Sequence, residues 1–253
     1  LLFIDTPGHA AFVSMRVRGS SIADLAILVV DINEGFQEQT HESLKILKEY
    51  RVPFVVAATK IDKIPGWRPQ KTTSFLESIK YQDENVLQEL DTKVYQIVSS
   101  LTEYNLDSER FDRVDDFTKK IAIVPISSVT KEGLAELIAV LSGLAQKFLK
   151  DKIKLSEKAK GIILEVKEVQ GLGLTLDVIL YDGEISKNDI LIIGGKEPIV
   201  TRIRALLVPR PLQEIRVEKK FVSVDKVTAA AGIKIVAPNI EKAIAGMPIR
   251  AVK

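Results

Sequence analysis

Phe54-Val55-Val56-Ala57-Ala58-Thr59-Lys60-Ile61-Asp62 runs five apolar residues into a polar tetrad. A strand with one wet face alternates apolar and polar residues, so an unbroken apolar run reads as a strand covered on both faces of a parallel sheet. Leu25-Ala26-Ile27-Leu28-Val29-Val30 repeats the pattern upstream, and Ile121 to Ile126 repeats it downstream. Between the first two runs, Thr40 to Tyr50 sets Leu44, Ile46 and Leu47 at helical spacing. Leu134 to Leu149 predicts a long helix with Leu134, Leu137, Ile138, Leu141, Leu144 and Phe148 on its apolar face. Leu1 to Ile4 is a further apolar run, read as a strand that ends at Asp5. Alternation of strand and helix predicts a doubly wound α/β domain.

Trp67 to Lys120 departs from this alternation: it is long, polar and helix-compatible, with a dense charge run from Asp107 to Asp116. It reads as a helical insertion on the rim of the sheet with a solvated charged face. Asp151 to Lys160 is Lys-rich and reads as a linker. Beyond it the apolar period changes to two, in Ile162–Lys167, Thr175–Leu180, Ile190–Ile193, Ile199–Ile203 and Gly232–Val236. Asp182-Gly183 and Gly194-Gly195 are turn signals between these strands, and short strands with glycine turns predict a small antiparallel β-barrel. The predicted boundaries are 1–150 for the α/β domain, 151–160 for the linker and 161–253 for the barrel.

The absence of cysteine from all 253 residues excludes a disulfide framework and a cysteine-based zinc site. No stretch is apolar for long enough to span a bilayer, and no secretory signal pattern opens the chain, so a cytoplasmic location is expected. Residues 1–150 hold 18 basic and 21 acidic side chains, and residues 157–253 hold 16 and 12. The second part is therefore the better candidate for contact with RNA. Arg202, Arg204, Arg210, Arg216, Lys219 and Lys220 form either an RNA-facing edge or ordinary solvated charges. Gly171-Leu172-Gly173 lacks the third glycine and the helix of a dinucleotide fingerprint and reads as a tight turn. His41 reads as a surface residue at a helix start.

Three short patterns carry chemistry. Asp5-Thr6-Pro7-Gly8-His9 places a carboxylate where it can hold Mg²⁺ through a water. Gly8 has no Cβ to block its N–H from a γ-phosphate; the alternative for Asp5-Thr6 is a helix N-cap. Thr59-Lys60-Ile61-Asp62 departs from Asn-Lys-x-Asp only in its first residue. Asp62 can accept from guanine N1 and N2, the Lys60 stem can lie against the base, and the Thr59 hydroxyl can tie neighbouring loops. Taken alone, this tetrad reads equally as a loop with a surface Lys–Asp pair. Ser127-Ser128-Val129 follows the third strand and is either a turn or a loop whose backbone N–H reaches guanine O6. All three in this order, each after a strand, are far more specific than any one of them.

With these motifs the sequence resembles the translational GTPases, in the branch of initiation factor 5B and bacterial initiation factor 2. Further resemblance lies in Arg18–Phe36, Lys60–Trp67, Gly171–Gly183 and Ile203–Arg216, covering nearly the whole chain. The resemblance implies a partial GTP-binding domain followed by the second, β-barrel domain of such factors. It implies GTP and GDP as ligands with Mg²⁺, and a nucleotide site of Asp5, Gly8, Thr59, Lys60, Asp62, Ser127, Ser128 and Val129. It further implies that His9 orients the attacking water, that Asp5 meets Mg²⁺ through water, and that the factor promotes joining of ribosomal subunits. The implied partners are ribosomal RNA of both subunits and, through domains outside these residues, initiator tRNA, with no membrane. No Gly-x-x-x-x-Gly-Lys-[Ser/Thr] loop or first switch occurs, so the 253 residues alone are expected to be catalytically inactive. Two alternatives are a non-catalytic ribosome-binding module and another translational GTPase, such as an elongation factor.

Overall fold

Backbone pairing places Ala26–Asp31 (β1) beside Phe54–Thr59 (β2), all parallel, with Leu28 opposite Val56 and Asp31 opposite Thr59. The computed structural model describes residues 2–6, 17, 23–149, 156, 158–209 and 221–253. Two compact units make up the chain: Asp5–Asp151, and Lys152–Lys253 together with Leu1–Ile4. In the first unit, Ser108–Arg110 (β3) and Ile121–Pro125 (β4) complete a four-stranded parallel sheet of order β1-β2-β4-β3. Val55, Val56, Ala57 and Ala58 are buried on both faces, as the unbroken apolar run requires.

The intervening helices follow their apolar spacing. Glu38–Glu49 (α1) buries Leu44, Ile46 and Leu47, and Thr40 closes a capping box with Gln37. Leu134–Phe148 (α4) buries Leu137 and Leu144, but Ile138 and Phe148, expected inside, face solvent. Ile138 lies about 100° round the helix from Leu137, and Phe148 is in the last turn. Val29, on β1, is 61% exposed, so this strand is covered less fully than its composition suggests.

Two other expectations are corrected. Residues 2–6 form no strand: no described strand pairs with them, and Phe3 is 69% exposed. An apolar segment becomes a strand only where a neighbouring strand takes its N–H and C=O groups. The stretch from Trp67 to Lys120 is part of the core rather than an appendage to it. Glu84–Thr102 (α3) buries Val86, Leu90, Val94, Ile97 and Leu101 at helical spacing, each worth roughly 1.5–3 kcal/mol over exposure. Phe75, in the short helix Phe75–Ser78 (α2), is fully buried. Inside the charge run, Arg110 is nearly buried, with Nε 2.6 Å from Asp112 Oδ1 and Nη1 2.6 Å from Asp91 Oδ1. Burial opposes ionisation of Asp112, but the Arg110 guanidinium outweighs it and holds the carboxyl below its usual range.

The second unit is antiparallel. Its strands are Ala159–Val169 (β5), Gly173–Asp182 (β6), Glu184–Ser186 (β7), Ile190–Ile193 (β8), Ile199–Arg202 (β9), Ala205–Pro209 (β10), Phe221–Val224 (β11), Lys226–Thr228 (β12), Ala231–Val236 (β13) and Pro248–Val252 (β14). Eight of them form one sheet of order β11-β10-β13-β6-β5-β14-β8-β9, and β7 pairs with β12. In a flat sheet, β9 and β10 would lie six strand spacings apart, about 29 Å. Only Ile203 and Arg204 separate them, a reach of about 11 Å. The sheet is therefore rolled round one core that includes Ile163, Leu176, Val178, Leu191, Ile203 and Ile235. β5 begins at Ala159, inside the stretch read as linker, and Gly171 and Gly173 both have positive φ in the β5–β6 turn. Arg202 and Arg204 are exposed, while Arg210, Arg216, Lys219 and Lys220 lie outside the described residues. No helix among the described residues is long and apolar enough to cross a membrane.

Asp182, at the end of β6, anchors the entry to this unit. The Ser156 N–H, donating at 2.9 Å, is the chief cause that lowers its carboxyl to about 2. Burial opposes the shift, and Lys160 Nζ at 2.9 Å and Ser156 Oγ at 2.7 Å add to it. Because the folded value lies below the ordinary 3.8, this contribution is full above pH 3.8 and is lost as pH falls towards 2. Asp182→Asn is expected to lower the melting temperature near neutral pH. The gap to the parent should close between pH 3.8 and 2 in calorimetric melts.

Candidate nucleotide site

Parallel pairing brings the carboxyl ends of β1, β2 and β4 to one edge, since Asp31 faces Thr59 and Ala58 faces Pro125. In open α/β sheets this edge is where ligands bind. The Thr59 hydroxyl donates to the Val30 carbonyl at 3.1 Å, tying β2 to β1. The Ile126 N–H donates to Ala58 O at 2.8 Å, and the Ile61 N–H donates to Ile126 O at 3.3 Å. These bonds set the Thr59–Asp62 and Ser127–Val129 loops side by side.

Lys60 sits in the left-handed region at φ 66°, ψ 36°. Two contacts hold it there: Asn33 Nδ2 donates to its carbonyl at 3.1 Å, and its Nζ lies 2.6 Å from Asp31 Oδ2. Ile61, fully buried, anchors the single 3₁₀ turn Ile61–Lys63 that carries the half-buried Asp62. Burial would raise the Asp31 carboxyl, but the Lys60 ammonium and the Asn33 N–H together hold it below its ordinary value. The hydrogen bond and charge of Asp31 push the Lys60 amine up. The lysine is thus held as a cation by Asp31, with its side chain still half exposed.

The third loop is built inward. Ser127 is fully buried, and its Oγ accepts from the Val129 N–H at 3.2 Å and the Thr130 N–H at 3.1 Å. Ser128 and Val129 are exposed at the tip, and the Ser128 N–H donates to no group among the described residues. Such an outward N–H suits a carbonyl oxygen of a base. Gly133, at φ 80°, turns the chain from this loop into α4.

Of the sequence-predicted residues, the structure therefore gathers Thr59, Lys60, Asp62, Ser127, Ser128 and Val129. Asp5 is exposed within the segment 2–6, which has no regular structure, while Gly8 and His9 lie outside the described residues. Asp31, Asn33 and Glu132 are the contacts that sequence reading missed. Asp31 closes β1 directly after its apolar run, the position from which it could have been singled out. His41, expected at the surface, is half-buried: its Nδ1 lies 2.8 Å from the Tyr104 hydroxyl and its ring packs edge-on against Phe36.

Residues 1–147 match the family described as the elongation factor Tu GTP binding domain. The chain is 58% identical over 252 residues to a probable translation initiation factor IF-2 of Sulfurisphaera tokodaii, covering 98% of this chain and 42% of that protein. It is 54% identical to the Thermococcus kodakarensis protein of the same name, of which it covers 22%. A crystal structure of GDP-bound aIF5B from Aeropyrum pernix superposes with a TM-score of 0.90 at 52% identity, over 100% of this chain and 43% of that one. The chain thus spans about two fifths or less of the length of these relatives.

The hinge between loop and helix offers a paired test. A Cβ at Gly133 would meet Pro125 O at 2.1 Å, on a backbone already at positive φ. Gly133→Ala is expected to cost at least about 2 kcal/mol. Gly143, within α4, has nothing within 4 Å of a built Cβ, and Gly143→Ala is expected to stabilise by roughly 0.5–1 kcal/mol. Urea unfolding midpoints of the two variants should move in opposite directions.

Proposed function

The chain belongs to the family of the elongation factor Tu GTP binding domain, and we propose that it is the guanine-reading and β-barrel part of a translation initiation factor. The observation that carries this is the convergence of Thr59–Asp62 and Ser127–Val129 at the carboxyl edge of one parallel sheet. Asp62 accepts from guanine N1 and N2. The Lys60 stem covers the base, and the Ser128 N–H meets O6. Together these contacts select guanine over adenine, which offers a donor where guanine offers O6.

The reaction is GTP hydrolysis, stimulated by the ribosome as the factor joins its two subunits. Asp5 supplies a carboxylate, a hard oxygen donor of the kind Mg²⁺ takes through water, and Gly8 gives the γ-phosphate a backbone N–H. Bound Mg²⁺ neutralises charge on the phosphates. His9 orients the attacking water and stabilises developing charge rather than acting as bulk base. The basic excess of residues 157–253 directs the second unit toward ribosomal RNA, and initiator tRNA is met by parts of the factor outside these residues. The setting is the cytoplasm. Because the relatives it resembles at more than half identity are initiation factors, an initiation role is preferred to elongation.

The 253 residues hold no Gly-x-x-x-x-Gly-Lys-[Ser/Thr] loop, which in this family supplies most backbone donors to the phosphates. A fluorescent-GDP titration of these residues alone is expected to show affinity weaker than about micromolar; tighter binding would count against this assignment of the phosphate contacts. In the complete protein, Asp62→Asn replaces an acceptor with a donor, matched to the additional carbonyl of xanthine. GDP affinity should fall by about 10- to 100-fold while XDP affinity rises. An unchanged preference in competition binding would remove Asp62 from the site.

A further inference from the structure

Glu132 is fully buried, and its side chain makes no salt bridge among the described residues. Four neutral donors fill its carboxylate instead. Trp67 Nε1 donates to Oε2 at 3.3 Å, the Thr130 hydroxyl to Oε2 at 2.5 Å, the Gln70 N–H to Oε1 at 3.0 Å, and the Ser78 hydroxyl to Oε1. Its own carbonyl accepts from the Ser127 N–H at 2.9 Å. A carboxylate can accept about four hydrogen bonds, so its capacity is used completely, and any lost donor leaves one buried lone pair unfilled.

The donors come from two separate places. Thr130 and Ser127 belong to the loop at the end of β4. Trp67, Gln70 and Ser78 belong to the segment that leads from the Lys60–Asp62 loop into α2. Four residues further on, Glu136 repeats the tie: its Oε2 accepts from the Phe75 N–H at 3.0 Å and its Oε1 from the Ser74 hydroxyl at 2.5 Å. The start of α4 is thus fastened twice to the segment 67–78, by Glu132 just before the helix and by Glu136 in its first turn, and the buried fastening is shared with the Ser127–Thr130 loop.

We propose that Glu132 is a positioning residue for guanine recognition, aiming the Ser128 N–H at O6 by bracing the loop against the segment 67–78. This rests on the guanine-reading function proposed above. It makes that segment a structural part of the base site, though none of its side chains touches the base. Glu132→Gln puts an amide N–H₂ where one oxygen received two donors, so the loop loses its brace while volume is conserved. The site then misaligns at O6 and keeps its Asp62 contacts.

The test compares GDP with the diphosphate of 2-aminopurine riboside, which keeps the N2 donor to Asp62 but has neither O6 nor the N1 proton, so each variant's loss is read against the parent for the same nucleotide. Binding is measured on the complete protein as parent, Glu132→Gln and Ser78→Ala. In Glu132→Gln, GDP affinity is expected to fall about tenfold and the 2-aminopurine nucleotide to stay within about twofold. Amide exchange at Val129 and Thr130 of the unliganded protein should quicken. Ser78→Ala, which removes one donor from outside the loop and leaves the carboxylate, should show the same selective pattern more weakly if Glu132→Gln fails to fold. Equal losses for both nucleotides would reduce Glu132 to a merely structural role, and no loss would remove it from recognition. If the parent itself shows no preference for GDP, the guanine-reading function fails first, and the parent measurement alone reveals that.

Discussion

The parallel pairing of β1, β2 and β4 is the constraint on which the candidate site depends. Backbone hydrogen bonds fix Asp31 beside Thr59 and Ala58 beside Pro125, so three loops distant in sequence leave the sheet at the same level. A register slip of one residue would turn every buried side chain of β2 towards the other face and carry Thr59 away from the Val30 carbonyl. A slip would also set Phe54 in the place of Val55 and Val56 in the place of Ala57, a change of volume that a close-packed core resists. Core packing and loop alignment are therefore one requirement.

On this frame, polar side chains complete the loops. Asp31 and Asn33 hold Lys60 in a left-handed backbone that a non-glycine residue seldom adopts, so part of the cost of that conformation is offset by a short ion pair and an amide contact. Glu132 braces the neighbouring loop: its carbonyl accepts from the Ser127 N–H and its carboxylate from the Thr130 hydroxyl. In both cases the groups expected to face a base are held by groups that do not. The second unit uses its polar interior differently. There Lys234 and Asp177 form a buried pair, Asp177 Oδ2 has no hydrogen-bond partner among the described residues, and Lys234 Nζ lies 5.2 Å from the centre of the Phe221 ring. Such a pair is weak support for stability, since desolvation offsets much of its attraction.

Local pattern and tertiary context part company in the stretch from Trp67 to Lys120. Its polarity suggests a solvated insertion, yet Trp67, Phe75 and the apolar stripe of α3 are buried. Spacing at 86, 90, 94, 97 and 101 was legible; what those side chains would pack against was not. The charge run likewise contains Arg110, whose aliphatic stem and guanidinium are buried over Phe75 and between two aspartates. Charge density alone cannot separate a solvated arginine from a paired one.

The sequence by itself determined the parallel α/β class, through unbroken apolar runs that only a doubly covered sheet can bury. It also determined the antiparallel character of the second half, through its period of two and its glycine turns. Thr59-Lys60-Ile61-Asp62 and Ser127-Ser128-Val129 were readable because each follows such a run. Only the tertiary structure decided which groups hold those loops. Asp31 meets Lys60 across 29 positions and Glu132 meets Trp67 across 65, and contacts at such separation leave no local period to read. It also decided that residues 2–6 stay outside the sheet, because apolarity sets the propensity to pair and only a neighbouring strand supplies the hydrogen bonds.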